Sequence, residues 1–182
     1  DHQKILSNDS IVGLLVKYKP QLEFKPGEKW SYTNLGFDIL ASIVEQASNL
    51  KFDQYMQKNV FQPAGMKRTF VPRTAKISDW FPKNIKESNI ALPHNYEDFT
   101  SCEVRNIYSL ISNSKQYFYG SSNVYTTVYD LEKFHEALLN NIILSKESQA
   151  LAYTPFKLNN GDVATDTLAP IKSYYGLGWD IS

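Results

Sequence analysis

Apolar residues recur along this chain at three- and four-residue steps, the spacing of one face of an α-helix. The first such run sets Ile11, Leu14, Leu15 and Tyr18 on one face, with Asn8-Asp9-Ser10 to cap its start and Pro20 to stop it. The strongest run follows Tyr32, where Leu35, Ile39, Leu40, Ile43, Val44 and Ala47 make a continuous stripe. Asn34 suits the start of that helix as a cap, and Ser48-Asn49 suits its end. A third, short helix carries Phe52, Tyr55, Met56 and Val60 inward, and Pro63-Ala64-Gly65-Met66 turns the chain out of it. Two more helices start from Thr127 and Ser145. Thr127-Val128-Tyr129-Asp130 has the spacing of a capping box, with Leu131, Phe134, Ala137 and Leu138 as the apolar face behind it. The Ser145 helix runs through Glu147 to Tyr153 and stops before Pro155.

Turn residues punctuate the rest. Pro20 to Trp30 reads as a loop with a Pro26-Gly27 turn. From Phe70 to Tyr125 periodicity fades and Pro72, Pro82 and Pro93 interrupt the chain. A loop region this long inside a compact domain is usually functional or mobile. Short strands are expected near Asn89–Leu92 and Gln116–Tyr119. Asn159-Asn160-Gly161-Asp162 predicts a hairpin turn, and Tyr174-Tyr175-Gly176-Leu177-Gly178-Trp179 runs into a strand. The expected fold is a single domain over residues 1–182, mainly α with long irregular loops and minor β.

Composition narrows the functions. A chain of 182 residues with 42% hydrophobic and 21% charged residues is in the ordinary range for one globular domain. Lys+Arg and Asp+Glu are 19 each, so a basic nucleic-acid surface or an acidic tail is excluded. The 12 Tyr and 10 Phe predict ring-rich packing and clefts. The single cysteine, Cys102, cannot form an internal disulfide, reads as a structural thiol and leaves the compartment open. No apolar run approaches the roughly 18–20 residues of a membrane span. Asp1-His2-Gln3-Lys4 is a polar start without Met or a leader, which reads as a cut within a longer protein.

Most chemical motifs are missing. There is no HExxH and no paired CxxC, so no metal is expected, and no phosphate or dinucleotide glycine loop, so no cofactor is expected. His2, His94 and His135 lie away from any G-x-S-x-G elbow, and His135 reads as a helix-surface residue. Glu28, Glu45 and Glu132 read as solvated loop or helix charges.

One constellation remains. Tyr32-Thr33-Asn34 stands behind the Pro26-Gly27 turn, at the mouth of the strongest helix, where a phenol and a carboxamide can point together into a cleft. By itself the triplet reads equally well as a packed tyrosine and a helix cap. Its surroundings add specificity. Pro26-Gly27-Glu28, then Trp30-x-Tyr32-x-Asn34 and Gly36, is followed by Phe61-x-Pro63-x-Gly65-Met66-x-x-Thr69, Ala91-Leu92-Pro93-His94, Tyr125-Thr126-Thr127-x-x-Asp130-Leu131 and Tyr175-Gly176-Leu177-Gly178-Trp179. This ordered series, from about Ile11 to Trp179, resembles the serine β-lactamase and penicillin-binding-protein-like family, in its class C β-lactamase and D-alanyl-D-alanine carboxypeptidase branch.

The resemblance implies that Tyr32 is catalytic, relaying a proton to or from a serine nucleophile and the leaving group. It implies that Asn34 bonds the catalytic lysine and the substrate amide. Ser122 and Asn123 replace the family's Gly-Gly and would line the substrate cleft. The family's Ser-x-x-Lys and Lys/His-Thr/Ser-Gly motifs are absent from this chain. It therefore resembles the helical lobe of a β-lactamase-like α/β (α+β) fold, excised from most of its antiparallel sheet. The implied activity of the parent is acyl transfer through a serine ester on a β-lactam, a D-Ala-ended peptide or a small ester. The fragment alone would be inactive. The implied partners are that substrate, the missing sheet lobe, and an oligomer covering an exposed apolar face, with no nucleic acid. The implied location is periplasmic or secreted. The competing readings are a non-catalytic binding module on the same scaffold and an unrelated helical interaction domain.

Overall fold

Hydroxyl side chains start four of the helices. The computed structural model describes residues 6–72, 94–96, 104–106, 116–166 and 173–181. After a two-residue strand β1 (Leu6–Ser7), helix α1 (Asn8–Tyr18) is capped by Ser7, whose Oγ accepts from the Ser10 N–H. Helix α2 (Asn34–Ser48) is capped by Thr33, which accepts from the Leu35 N–H at 3.2 Å. Helix α4 (Val128–Leu139) starts on Thr127 and helix α5 (Lys146–Ala152) on Ser145, each side chain accepting an N–H three residues on. Each cap satisfies a donor that the first turn leaves unpaired. Lys19 and Asn49 close α1 and α2 in the left-handed conformation, which suits Asn49 better than Lys19.

Between α2 and α4, helix α3 (Phe52–Met56) continues into a π-helical turn over Gln57–Phe61. Phe61, Ala64, Met66, Val71 and Ala137 form the buried core, with Phe52, Met56, Val60, Tyr119, Phe134 and Ile143 packed around it. Strands are short. β4 (Gln116–Tyr117) runs parallel to β1, β2 (His94–Tyr96) pairs antiparallel with β3 (Val104–Asn106), and β5 (Thr165–Asp166), β6 (Ser173–Tyr175) and β7 (Asp180–Ile181) form an antiparallel ribbon. The fold is mainly α with minor β.

Several sequence expectations need correction. Asn34 is the first helical residue and Thr33 is the cap, because the shorter hydroxyl side chain reaches the Leu35 N–H. Ser7 displaces Asn8-Asp9-Ser10 as the first cap, and Asn8 is 1% exposed inside the fold. The apolar stripes of α1 and α2 are largely at the surface, with Leu14, Tyr18, Leu40 and Ile43 all exposed, while α2 buries Asp38 and Ala41. Leu131 is likewise exposed, although Ala137 and Leu138 are buried as expected. Asp130 does not reach back to complete a capping box. Its carboxylate is buried against residues from 62 positions upstream, with the Arg68 N–H donating to it at 2.6 Å. Glu45 is not a solvated charge. It takes the Phe52 N–H at 2.8 Å and the Tyr119 hydroxyl at 2.9 Å, tying α2 to α3 and to the segment before α4. As expected, the Tyr174–Trp179 motif leads into a strand: Tyr174 and Tyr175 lie in β6, and Gly176–Trp179 turns the chain into β7, with the Gly176 N–H donating to the Trp179 carbonyl. The predicted strand at 89–92, and Cys102, lie outside the described residues. Among the described residues no helix is long and apolar enough to cross a membrane.

Candidate functional site

The segment leading to the Tyr-x-Asn triplet is held by turns. The Glu28 N–H donates to the Lys25 carbonyl, and Gly27 at φ 80° supplies the left-handed third position that a Pro-Gly turn of this type requires. The turn docks on a second one. Asn159 donates its N–H to the Gly27 carbonyl at 2.8 Å and its Nδ2 to the Pro26 carbonyl at 3.1 Å. Asn159 sits in the expected hairpin, bridged at Lys157 and Val163, with Gly161 at φ 89°. The chain therefore leaves this anchor with the Trp30 ring tilted against Tyr175 of β6, ring centres 4.7 Å apart.

Tyr32 comes next. Its ring lies 5.8 Å from Phe37 and 6.4 Å, edge-on, from Tyr175. Its hydroxyl is exposed and donates to Asn34 Oδ1 at 3.2 Å. Asn34 is exposed at the first position of α2, and its Nδ2 donates no hydrogen bond to any described residue. The arrangement presents a phenol and a free amide donor side by side at a helix N-terminus, where the helix dipole favours negative charge. That can orient an acyl compound and pass a proton, but it cannot by itself attack one.

The loop carrying Ser122 and Asn123 closes on α2 one turn further along. Gly120 (φ 108°) lies so close to the helix that a Cβ there would collide with the Phe37 carbonyl and stand 2.8 Å from the Ala41 methyl. The Ser121 hydroxyl and N–H both donate to Asp38 Oδ1, at 2.6 and 3.2 Å. Buried Asn8 completes the joint, donating to the Asp38 and Tyr119 carbonyls at 2.8 Å each and accepting the Tyr119 N–H. Ser122 is exposed. Asn123 is in the left-handed region at φ 70° and donates its Nδ2 to the Phe118 carbonyl. Of all residues except glycine, asparagine tolerates that conformation best, so Asn123 suits this position. Tyr32 and Asn34 are thus in direct contact. Ser122 and Asn123 join them through α2, and no hydrogen bond links the two pairs among the described residues. A third element, the β6–β7 turn, closes on the same place: a Cβ on Gly178 would stand 3.5 Å from Cε1 at the edge of the Phe37 ring. Phe37 is therefore the hub on which the triplet, the Gly120–Asn123 loop and the aromatic ribbon converge.

The sequence did not mark Asp38 at all, and it marked Asn8 only as a helix cap. An acidic residue inside an apolar helical stripe was the available signal for Asp38. Asn8 carried none, because capping explained it. Among the described residues no group of His, Cys, Asp and Glu side chains could hold a metal.

The architecture is a helical portion of a β-lactamase-like fold. It superposes on the penicillin-binding protein of Bacillus halodurans with a TM-score of 0.65 at 24% identity, covering 92% of this chain and 45% of that one. It superposes on the octameric penicillin-binding protein homologue of Pyrococcus abyssi with a TM-score of 0.70 at 18% identity, covering 100% and 36%. The sequence profile of the Beta-lactamase family matches residues 15–182, so the chain belongs to that family. Penicillin-binding protein 4* of Bacillus subtilis (strain 168) is 28% identical over 186 residues, 98% of this chain. The chain spans 37% of the length of that curated relative.

Proposed function

We propose that this chain is the helical lobe of a serine hydrolase and supplies one wall of its active site. The observation that carries this reading is the Tyr32–Asn34 pair, joined at 3.2 Å on the rim of α2, with two further walls converging on Phe37 beside it. In this reading Tyr32 relays the proton between a serine hydroxyl and the leaving group. A neighbouring ammonium is needed for that, because an isolated phenol with a pKa of about 10 is a weak base at neutral pH. Asn34 holds that ammonium and the substrate amide in place, and Ser122 and Asn123 line the cleft. The serine, its lysine and the oxyanion donors come from parts of the parent outside this chain. The reaction is acyl transfer to the serine followed by hydrolysis of the ester. Its substrates are β-lactams, D-Ala-ended peptides or small esters, met in the periplasm or outside the cell.

The surface supports the excision reading. α1 and α2 frame an exposed groove of about 580 Å³ whose apolar lining is Val12, Ile39, Ile43 and Ala47, with Asp9, Ser42 and Gln46 among them. Exposed apolar surface of this kind marks an interaction face, and we assign it to the missing lobe of the parent or to neighbouring subunits.

Labelling tests the proposal. The full-length parent should form a serine adduct with a fluorophosphonate or a penicillin, and the 182-residue chain should form none. Tyr32→Phe in the parent should lower kcat by about 10²–10⁴-fold. A serine adduct on the isolated chain would place the nucleophile here and overturn the reading. Reversible penicillin binding by the parent, without any adduct, would instead identify a binding module on the same scaffold.

A further inference from the structure

We propose that Asp38 is a positioning residue that sets the span between the Tyr32–Asn34 pair and the Gly120–Asn123 loop, and so selects substrates by the length of their acyl part. The inference rests on the hydrolase reading above.

Asp38 is four residues after Asn34 in α2, so it lies on the same helix face about 6 Å along the axis. It is 5% exposed, and one of its oxygens, Oδ1, takes both donors of Ser121. Two bonds from one residue to one oxygen fix both the position and the orientation of the loop backbone. The other features of the loop act in the same direction. Gly120 is pressed onto the Phe37 backbone, so the loop cannot move closer. Asn8 bonds the Asp38 carbonyl and both backbone groups of Tyr119, so the approach to the loop is held as well. Asn123 is held in a left-handed conformation by its bond to the Phe118 carbonyl.

A buried carboxylate is a costly way to join a loop to a helix, since an apolar contact does it without desolvating a charge. What the carboxylate adds is direction. The side chain displayed at the end of this restrained backbone, Ser122, is exposed. A fixed backbone beneath an exposed polar group is the construction of a substrate-facing wall. The wall stands a helical turn beyond Asn34. It therefore meets the part of an acyl group that extends past the Asn34 amide, and a small acyl group does not reach it.

The test compares two substrates on the full-length parent: a penicillin with an aromatic acyl side chain, and p-nitrophenyl acetate. Asp38→Ala should raise KM for the penicillin about ten-fold while changing KM and kcat for the acetate less than about two-fold. Ser121→Ala removes the hydroxyl bond but leaves the N–H bond, so it should raise the penicillin KM by a smaller factor of about three. Because it leaves Asp38 paired, Ser121→Ala keeps the test alive if Asp38→Ala fails to fold. Asp38→Asn retains an acceptor oxygen and should restore most of the penicillin KM. Equal losses on both substrates would mean that Asp38 serves only the fold, and unchanged kinetics in both alanine variants would mean that the loop does not face substrate. Either outcome overturns the inference. A wild-type parent that turns over neither substrate overturns the hydrolase reading and this inference with it, and is distinguished by the wild-type measurement alone.

Discussion

Replacing Asp130 by alanine removes the clamp that holds the start of α4 to the chain after the π-helical turn. The side chain is 2% exposed and takes the Arg68 N–H at 2.6 Å, the Thr69 hydroxyl at 2.9 Å and the Lys133 ammonium at 3.2 Å. The Lys133 pair counts for little, because that side chain is 42% exposed and water screens it. Thr69 keeps a second partner in Thr126. The main loss is therefore the Arg68 N–H, left without an acceptor, together with one charge-assisted hydroxyl bond. Set against the relief of no longer burying a carboxylate, the net cost is about 2–4 kcal/mol. For a chain of this size that lowers Tm by roughly 5–15 °C, readable by circular dichroism. The pH dependence adds a second check. Burial pushes the Asp130 carboxyl up, but its bonds to Arg68, Thr69 and Lys133 outweigh burial and hold it below the ordinary value of 3.8. The stabilisation is thus fully present above the unfolded carboxyl's pKa of about 4 and is lost as pH falls through the lower folded value. The Tm gap between wild type and Asp130→Ala should accordingly narrow in strong acid. A variant within about 0.5 kcal/mol of wild type at pH 7, or a gap unchanged into strong acid, would refute the reasoning.

Three further outcomes follow from the same geometry. Gly120→Ala places a methyl against the Phe37 carbonyl and Ala41 at a φ of 108°, and should cost about 2–4 kcal/mol in chemical denaturation. Asn8→Leu strips three hydrogen bonds from a site 1% exposed, and should cost about 3 kcal/mol or more by the same assay. Ile43→Lys changes a residue 54% exposed on α2; in the isolated chain it should shift stability by less than about 0.5 kcal/mol, and sedimentation should show no more self-association than wild type.

The features legible in the sequence were those closed over a few residues. Thr127 and Ser145 start helices because a hydroxyl can reach an N–H three residues on, and that geometry needs no other part of the chain. Gly27 and Gly161 turn the chain because their dihedral angles are local. The Tyr32–Asn34 contact spans two residues, and the order of its flanking motifs pointed to the Beta-lactamase family.

What only the tertiary structure decided was the use of polar side chains whose partners lie far along the chain. Asp130 could have completed a capping box, but the return of Arg68 and Thr69 offered it stronger bonds. Asn8 could have capped α1, yet it bridges Asp38 and Tyr119 across 30 and 111 residues. The apolar stripe of α2 correctly announced a helix, but periodicity does not say which neighbours cover a face. Leu40 and Ile43 stay exposed, and Asp38 is inside because Ser121 comes to meet it. A local bond is written into adjacent residues, whereas a long-range one exists only after the chain has paid the entropy of bringing distant segments together.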